Sequence, residues 1–349
     1  MRLWVRRVSL PLIGRSSAPR RWTNPRLLAA LAFLLPAAAL TQSFEPPRHI
    51  LSPGPLMQGA TVTEMLVRAD AGTQIERDRT PAQELEEHRK LDRALKALAA
   101  QRPGVVDAYV VSIALDSDPV FGREARAAGD VLQRRFGAQG RTIILAGTDG
   151  KAPSALPRGT PNSLGIVLAR IAELMNEKED ALILYTTSHG TPFGLYYHDA
   201  DNGYGAVSPN RLNLMLAQLG ISNRLLILSA CYSGIFVSAL QSDGSAIVTA
   251  ASSDRTSFGC AAENDWTYFG DAMVNRALRK PQPLAAAFGE AQGLVTDWER
   301  HMRFVPSQPQ IWIGPRMAWL DSLERRMPKV ATQPVGRPAF EPAAIPPRR

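Results

Sequence analysis

Leu225-Leu226-Ile227-Leu228-Ser229-Ala230-Cys231-Tyr232-Ser233-Gly234 is the stretch on which the fold turns. Four aliphatic residues in succession, then small residues, a cysteine and a Ser-Gly pair, predict a buried strand ending in an exposed turn. An apolar run without alternation marks a strand covered on both faces, as in a parallel sheet between helix layers. Ligands of such sheets bind outside the carboxyl ends of the strands, which is where Cys231 falls. The run Ala181-Leu182-Ile183-Leu184-Tyr185 repeats the pattern and stops at Thr186-Thr187-Ser188-His189-Gly190. Parallel neighbours would bring His189 and Cys231 out at one edge. A thiol is a good nucleophile only as thiolate, and a nearby imidazole is the usual way to obtain one.

Outward from these two runs, strands and helices alternate. Strands are expected at 108–115, 142–145, 246–250 and 310–314, and helices at 123–136, 162–176, 209–219, 268–279 and 284–301. A Gly/Pro loop occupies 147–159, a hairpin-like segment lies around 194–198, and no internal repeat is visible. Such alternation implies an α/β fold of three layers, a mostly parallel central sheet with helices on both faces.

Charge is unevenly placed. Of the formal net charge of +8, seven positive charges are the arginines of residues 1–26, which hold no acid, and a net three come from 327–349, leaving −2 between. A near-neutral body offers no nucleic-acid-binding face. The arginines lead into residues 27–40, a Leu/Ala/Phe run interrupted only by Pro36. That is a positive n-region and an apolar h-region too short to span a membrane comfortably, so 1–43 reads as a signal peptide. An uncleaved signal anchor, its arginines on the cytoplasmic side, is the alternative. With cysteine present only at 231 and 260, a lipoprotein anchor is excluded.

Residues 44–104 read as a linker followed by a helical extension over 81–100, with 42–79 loosely packed. The main domain is set at 105–326. The tail 327–349, with proline at 328, 334, 338, 342, 346 and 347, is expected to be disordered. Asp199 to Asn210 lacks the glycine and the final acid of an EF-hand loop, so a polar turn is expected there. No metal or other cofactor is called for, and Gly-x-Ser-x-Gly is absent.

Strand-Ser188-His189-Gly190 followed about forty residues later by strand-Ser229-Ala230-Cys231-Tyr232-Ser233-Gly234 resembles the legumain-like cysteine peptidases, family C13, of the caspase–hemoglobinase fold. Asp254 to Cys260 and Tyr268-Phe269-Gly270-Asp271 are similar to that family's next block, and the resemblance runs from about Asp107 to Gly314. It implies a cysteine endopeptidase with Cys231 as nucleophile, His189 as general base and acid, and an oxyanion hole from the N–H groups of Gly190 and Cys231. Arg123, Ser229, Ser257 and Asp271 match the family's substrate-binding positions. Ser229 stands where the eukaryotic enzymes have Glu, so cleavage after Asp or Asn is an expectation with one pocket acid missing. Plainer roles stay open: a structural disulfide for the two cysteines, a solvated helix start for Arg123, a helix cap for Asp271, a satisfied histidine for His198 and His301. Asp118 is a candidate orienter of the imidazole. A peptide or protein substrate is expected, with the domain exported to the periplasm or anchored in a bacterial inner membrane facing it. Transpeptidation by the same pair, or a non-catalytic binding role, are the alternatives.

Overall fold

The computed structural model describes residues 61–147 and 154–341. The expected signal segment and the first part of the linker lie outside these. A recurring signature starts the helices, a short polar residue followed by proline: Thr80-Pro81, Asp118-Pro119, Thr160-Pro161 and Ser208-Pro209. Proline at the first helical position has the right φ and lacks only an N–H that would be unsatisfied there anyway. Thr80 and Thr160 complete capping boxes with Gln83 and Ser163, and the Ser208 hydroxyl accepts from the Arg211 N–H at 3.0 Å.

The elements in chain order are α1 (Val62–Asp70), β1 (Gln74–Glu76), α2 (Pro81–Lys96), β2 (Ala108–Ala114), α3 (Pro119–Phe136), β3 (Thr142–Leu145), α4 (Pro161–Leu174), β4 (Ala181–Thr187), β5 (Gly190–Thr191), β6 (Gly194–Asp199), β7 (Gly203–Val207), α5 (Pro209–Gln218), β8 (Arg224–Ser229), α6 (Ile235–Leu240), β9 (Ser245–Thr249), α7 (Leu284–Met302), β10 (Gln310–Ile313) and α8 (Ala318–Arg326). A π-helical turn, Gly270–Arg276, and a 3-10 turn, Ala277–Arg279, stand between β9 and α7.

Six strands form the central sheet in the order β10-β9-β8-β4-β2-β3, all parallel except β10 at the edge. Alternate residues of the buried strands feed two cores. Val110, Ile183, Tyr185, Leu225 and Ile227 face one layer with α3, α7 and α8; Val111, Leu182, Leu184, Leu226 and Leu228 face the other with α4, α5 and α6. Burial of each such aliphatic side chain contributes about 1.5–3 kcal/mol, and both faces require it, so the strands read as unbroken apolar runs. From β2 the chain moves outward to β3 and then returns to the other side of β2 as β4. The order therefore reverses at the carboxyl ends of β2 and β4, the crevice in which open α/β sheets bind ligands.

Two expectations are corrected. Part of the presumed loose segment is structured: α1 carries a capping box between Thr61 and Glu64, and β1 joins β7 at the edge of a four-stranded antiparallel sheet, β1-β7-β6-β5. Three-residue strands lack the periodicity that would reveal them. The tail is also ordered as far as it is described. Val335 O accepts from Trp266 Nε1 at 2.8 Å and Asn275 Nδ2 at 3.0 Å, Ala339 N–H donates to Asp271 Oδ2 at 2.9 Å, and Phe340 stacks on Trp298. Prolines limit the freedom such a segment loses on ordering, and these fixed donors and acceptors hold it down.

Candidate active site

β4 and β8 pair in register Thr187↔Ser229, and the Ser188 N–H donates to Ser229 O at 3.2 Å. The two chains therefore leave the sheet side by side, carrying His189 and Cys231. A Cβ on Gly190 would overlap the backbone N, C and O of Cys231, so only glycine permits this approach. Tyr232, immediately after the thiol, is held at φ 57°, a left-handed conformation costly for a bulky residue. Its N–H donates to Arg255 O at 2.8 Å, which ties the turn to the loop over the site.

Both cysteines are free thiols, so the disulfide alternative is not realised. Cys231 Sγ accepts from the Ser257 N–H at 3.2 Å and lies 3.7 Å from Ser257 Oγ, the expected neighbour in the third sequence block. The thiol also donates to Ser257 O at 3.5 Å, so it is held against the Ser257 main chain.

His189 stands with its ring edge against Phe121, centroids 5.1 Å apart, and with Nε2 3.5 Å from Asp118 Oδ2. Burial works against a charged imidazole here. Hydrogen bonding to Asp118 and Cys260, with the nearby Asp116 charge, outweighs it and raises the imidazole pKa to about 11. Asp116, Asp118 and His189 offer ligand atoms within 4.8 Å of one another, a spacing open to a cation. That donor set is the imidazole and its own acidic partners, and it is explained without an ion.

The other family positions fall differently. Arg123 is engaged by the loop beyond Cys260: its NH2 donates to Ala262 O at 2.5 Å and to Asn264 O, and its Nε lies 3.2 Å from Asp265. The guanidinium is a brace for that loop, not the solvated helix start. Asp271 is fully buried and accepts from Asn275 Nδ2 at 2.8 Å, Arg276 and the tail amide of Ala339. It anchors the C-terminal segment; neither a helix cap nor an open pocket acid describes it.

Ser229 brings in a residue that sequence reasoning missed. Its hydroxyl donates to Glu124 Oε1 at 3.0 Å, and the same carboxylate accepts from Thr187 Oγ1 at 2.8 Å, the Thr267 N–H at 2.7 Å and Tyr185 OH. Glu124 is fully buried on the core face of α3, and a Cβ on Gly270 would overlap its carboxyl. An acid from α3 thus stands against the Ser229 hydroxyl, inside the core. An acid among Val120, Phe121, Ala125 and Ala128, at helical spacing, was the available signal.

Residues 162–318 match the model of the Peptidase C13 family. Among solved structures, caspase-1 from Spodoptera frugiperda is similar at 16% identity, covering 62% of this chain and 88% of that one, with a TM-score of 0.39. The structure of pro-sf-caspase-1 follows at 14% identity, 61% and 93% coverage, and the same TM-score of 0.39. No curated protein matches. His189, Cys231 and Ser257 all lie inside the matched segment, and it is this segment that is similar to the Peptidase C13 family.

Proposed function

We propose that the protein is a cysteine endopeptidase in which Cys231 and His189 form the catalytic pair. The observation that carries this reading is the seating of Gly190 against the Cys231 backbone where β4 and β8 leave the sheet. The Cys231 thiolate attacks the scissile carbonyl carbon, and the carbonyl oxygen takes the negative charge. The N–H groups of Gly190 and Cys231 are the donors for that oxygen. On collapse, the C–N bond breaks, the His189 imidazolium gives its proton to the departing amine, and a thioester remains. His189 then takes a proton from water, hydroxide adds to the thioester, and the thiolate is released. A histidine charged over the ordinary pH range suits the first half of this cycle, in which it must donate.

P1 preference follows from the wall beside the thiol. The Arg123 charge is offset by Asp265 and two carbonyls, and Glu124 is consumed by four donors. The uncharged hydroxyl of Ser257, 3.7 Å from the thiol, is what this wall offers, which favours the amide of Asn over the carboxylate of Asp. Export by residues 1–43 completes the reading, with a peptide or protein as substrate. Cleavage of a peptide library by the full chain, by Cys231→Ala and by His189→Ala tests it. Cleavage after Asn by the parent, lost in both variants, is expected; undiminished cleavage by Cys231→Ala refutes the assignment.

A further inference from the structure

His189 is backed by more than Asp118. The Asp118 N–H donates to Asp116 Oδ1 at 2.9 Å, and Asp116 Oδ2 lies 3.7 Å from Nδ1 of His198 on β6. Asp116 and His198 are also joined through the main chain by an isolated parallel bridge, with the Ser117 N–H donating to His198 O at 2.8 Å and the His198 N–H to Leu115 O at 3.0 Å. The His198 ring is held between Tyr196 and Tyr204, with centroids 5.8 and 5.4 Å away. Asp116, Asp118 and His198 are all at least nine-tenths buried. The molecule thus contains two Asp–His pairs back to back, joined through one backbone N–H, and only the first has been given a role.

Two buried carboxylates two residues apart repel each other unless each meets a cation or a donor. A carboxylate kept near an imidazole holds the proton on that imidazole. We propose that Asp116 and His198 are positioning residues for the catalytic His189. Asp116 fixes the Asp118 turn through its N–H and adds a second negative charge beside the imidazole, and His198 keeps Asp116 in place. The inference rests on the reading of His189 as the catalytic imidazole.

Several ionisable groups among the described residues surround these two pairs. Asp118 and Cys260 face His189. A cavity of about 330 Å³ lined by Asp116 and His198 is also bordered by Glu87 and Lys90 of α2, by Arg158, and by Asp199. These groups are paired: Lys90 lies 2.7 Å from Glu87, Arg158 lies 3.4 Å from Asp199, 3.5 Å from Glu87 and 3.1 Å from Glu84, and Arg79 lies 2.5 Å from Asp199. Tyr204 on the other ring face carries Arg77 above it and donates to Asp201. Asp116, bound to the Asp118 N–H, is an acid behind Asp118 whose charge acts on His189.

The test is the protonation midpoint of His189, followed by NMR of ring-labelled histidine in the full chain carrying Cys231→Ala. The chain has five histidines, and the His189 signal is identified by its loss in His189→Gln. Asp116→Asn is expected to lower the midpoint by about one pH unit or more, and Asp116→Glu to restore it. A purely structural role would change the melting temperature of Asp116→Asn and leave the midpoint where it was; an unmoved midpoint overturns the proposal. Should Asp116→Asn fail to fold, His198→Gln is the decisive variant. It is expected to shift the midpoint the same way by less, and no shift overturns the proposal. Because the Cys231→Ala background cannot turn over, this readout stands even if no peptide is cleaved, and a failure of the peptidase reading would appear only in the library experiment.

Discussion

The molecule treats its two groups of buried acids in opposite ways. Glu124, between α3 and the ends of β4 and β8, meets four neutral donors and lies within the packed core. Asp116 and Asp118, a few residues earlier, meet imidazoles at 3.7 and 3.5 Å, distances longer than a good hydrogen bond. Fixed hydroxyls and an amide make Glu124 a rivet, since none of them changes charge near neutral pH. Imidazoles gain and lose protons, so the Asp116–Asp118 side can take part in a reaction. Rigidity and reactivity are separated on either side of β4, and His189 stands at the join.

Breaking the rivet has the largest expected effect. Glu124→Ala strands four buried donors, and stability should fall by about 3–5 kcal/mol, the cost of removing one partner from a buried charged network. Chemical denaturation measures this; a loss under about 1 kcal/mol would mean that the hydroxyls find other acceptors. Asp118→Asn acts on the other side of the comparison. It should lower kcat/KM by about 10–100-fold, some 1.4–2.7 kcal/mol, with a much smaller change in stability. The sign of the pH effect follows from the raised imidazole. His189 is held charged in the folded state, so its contribution to stability is fully present below its ordinary value of about 6.5 and is lost as pH rises through about 11. In Asp118→Asn that upper limit should move down, carrying the alkaline limb of kcat/KM with it. A limb that stays in place would separate Asp118 from the imidazole.

Arg123→Ala should have the smallest effect. As a brace for the 262–265 loop, its loss should lower kcat/KM for Asn and Asp substrates alike, by about three- to tenfold, or ~0.7–1.4 kcal/mol. A loss confined to Asp substrates would return the guanidinium to the pocket.

The same contrast explains what could be read from the chain alone. The ends of β4 and β8 were legible because a strand buried on both faces has to be apolar at every position, and Leu225 to Leu228 are. Laid parallel, the two runs bring His189 and Cys231 out at one edge of the sheet, and β4 and β8 do pair in parallel. Glu124 was legible only in part: its place among Val120, Phe121, Ala125 and Ala128 marks a buried helix face, but the strand hydroxyls that receive the acid leave no trace in sequence. The same holds for Asp271, whose partners Arg276 and Ala339 come from a turn and from a tail whose composition suggested disorder. Polar satisfaction in three dimensions leaves no period in sequence.

Which thiol reacts is the most direct question, since Cys231 rests against Ser257 and Cys260 against His189. The deciding measurement is the mass of the labelled peptide after the full chain is treated with a substrate-like peptidyl acyloxymethyl ketone ending in Asn. One adduct, on Cys231, and its disappearance in His189→Ala, is the expected result. An adduct on Cys260, or equal labelling of both thiols with and without His189, would contradict a catalytic pair of Cys231 and His189.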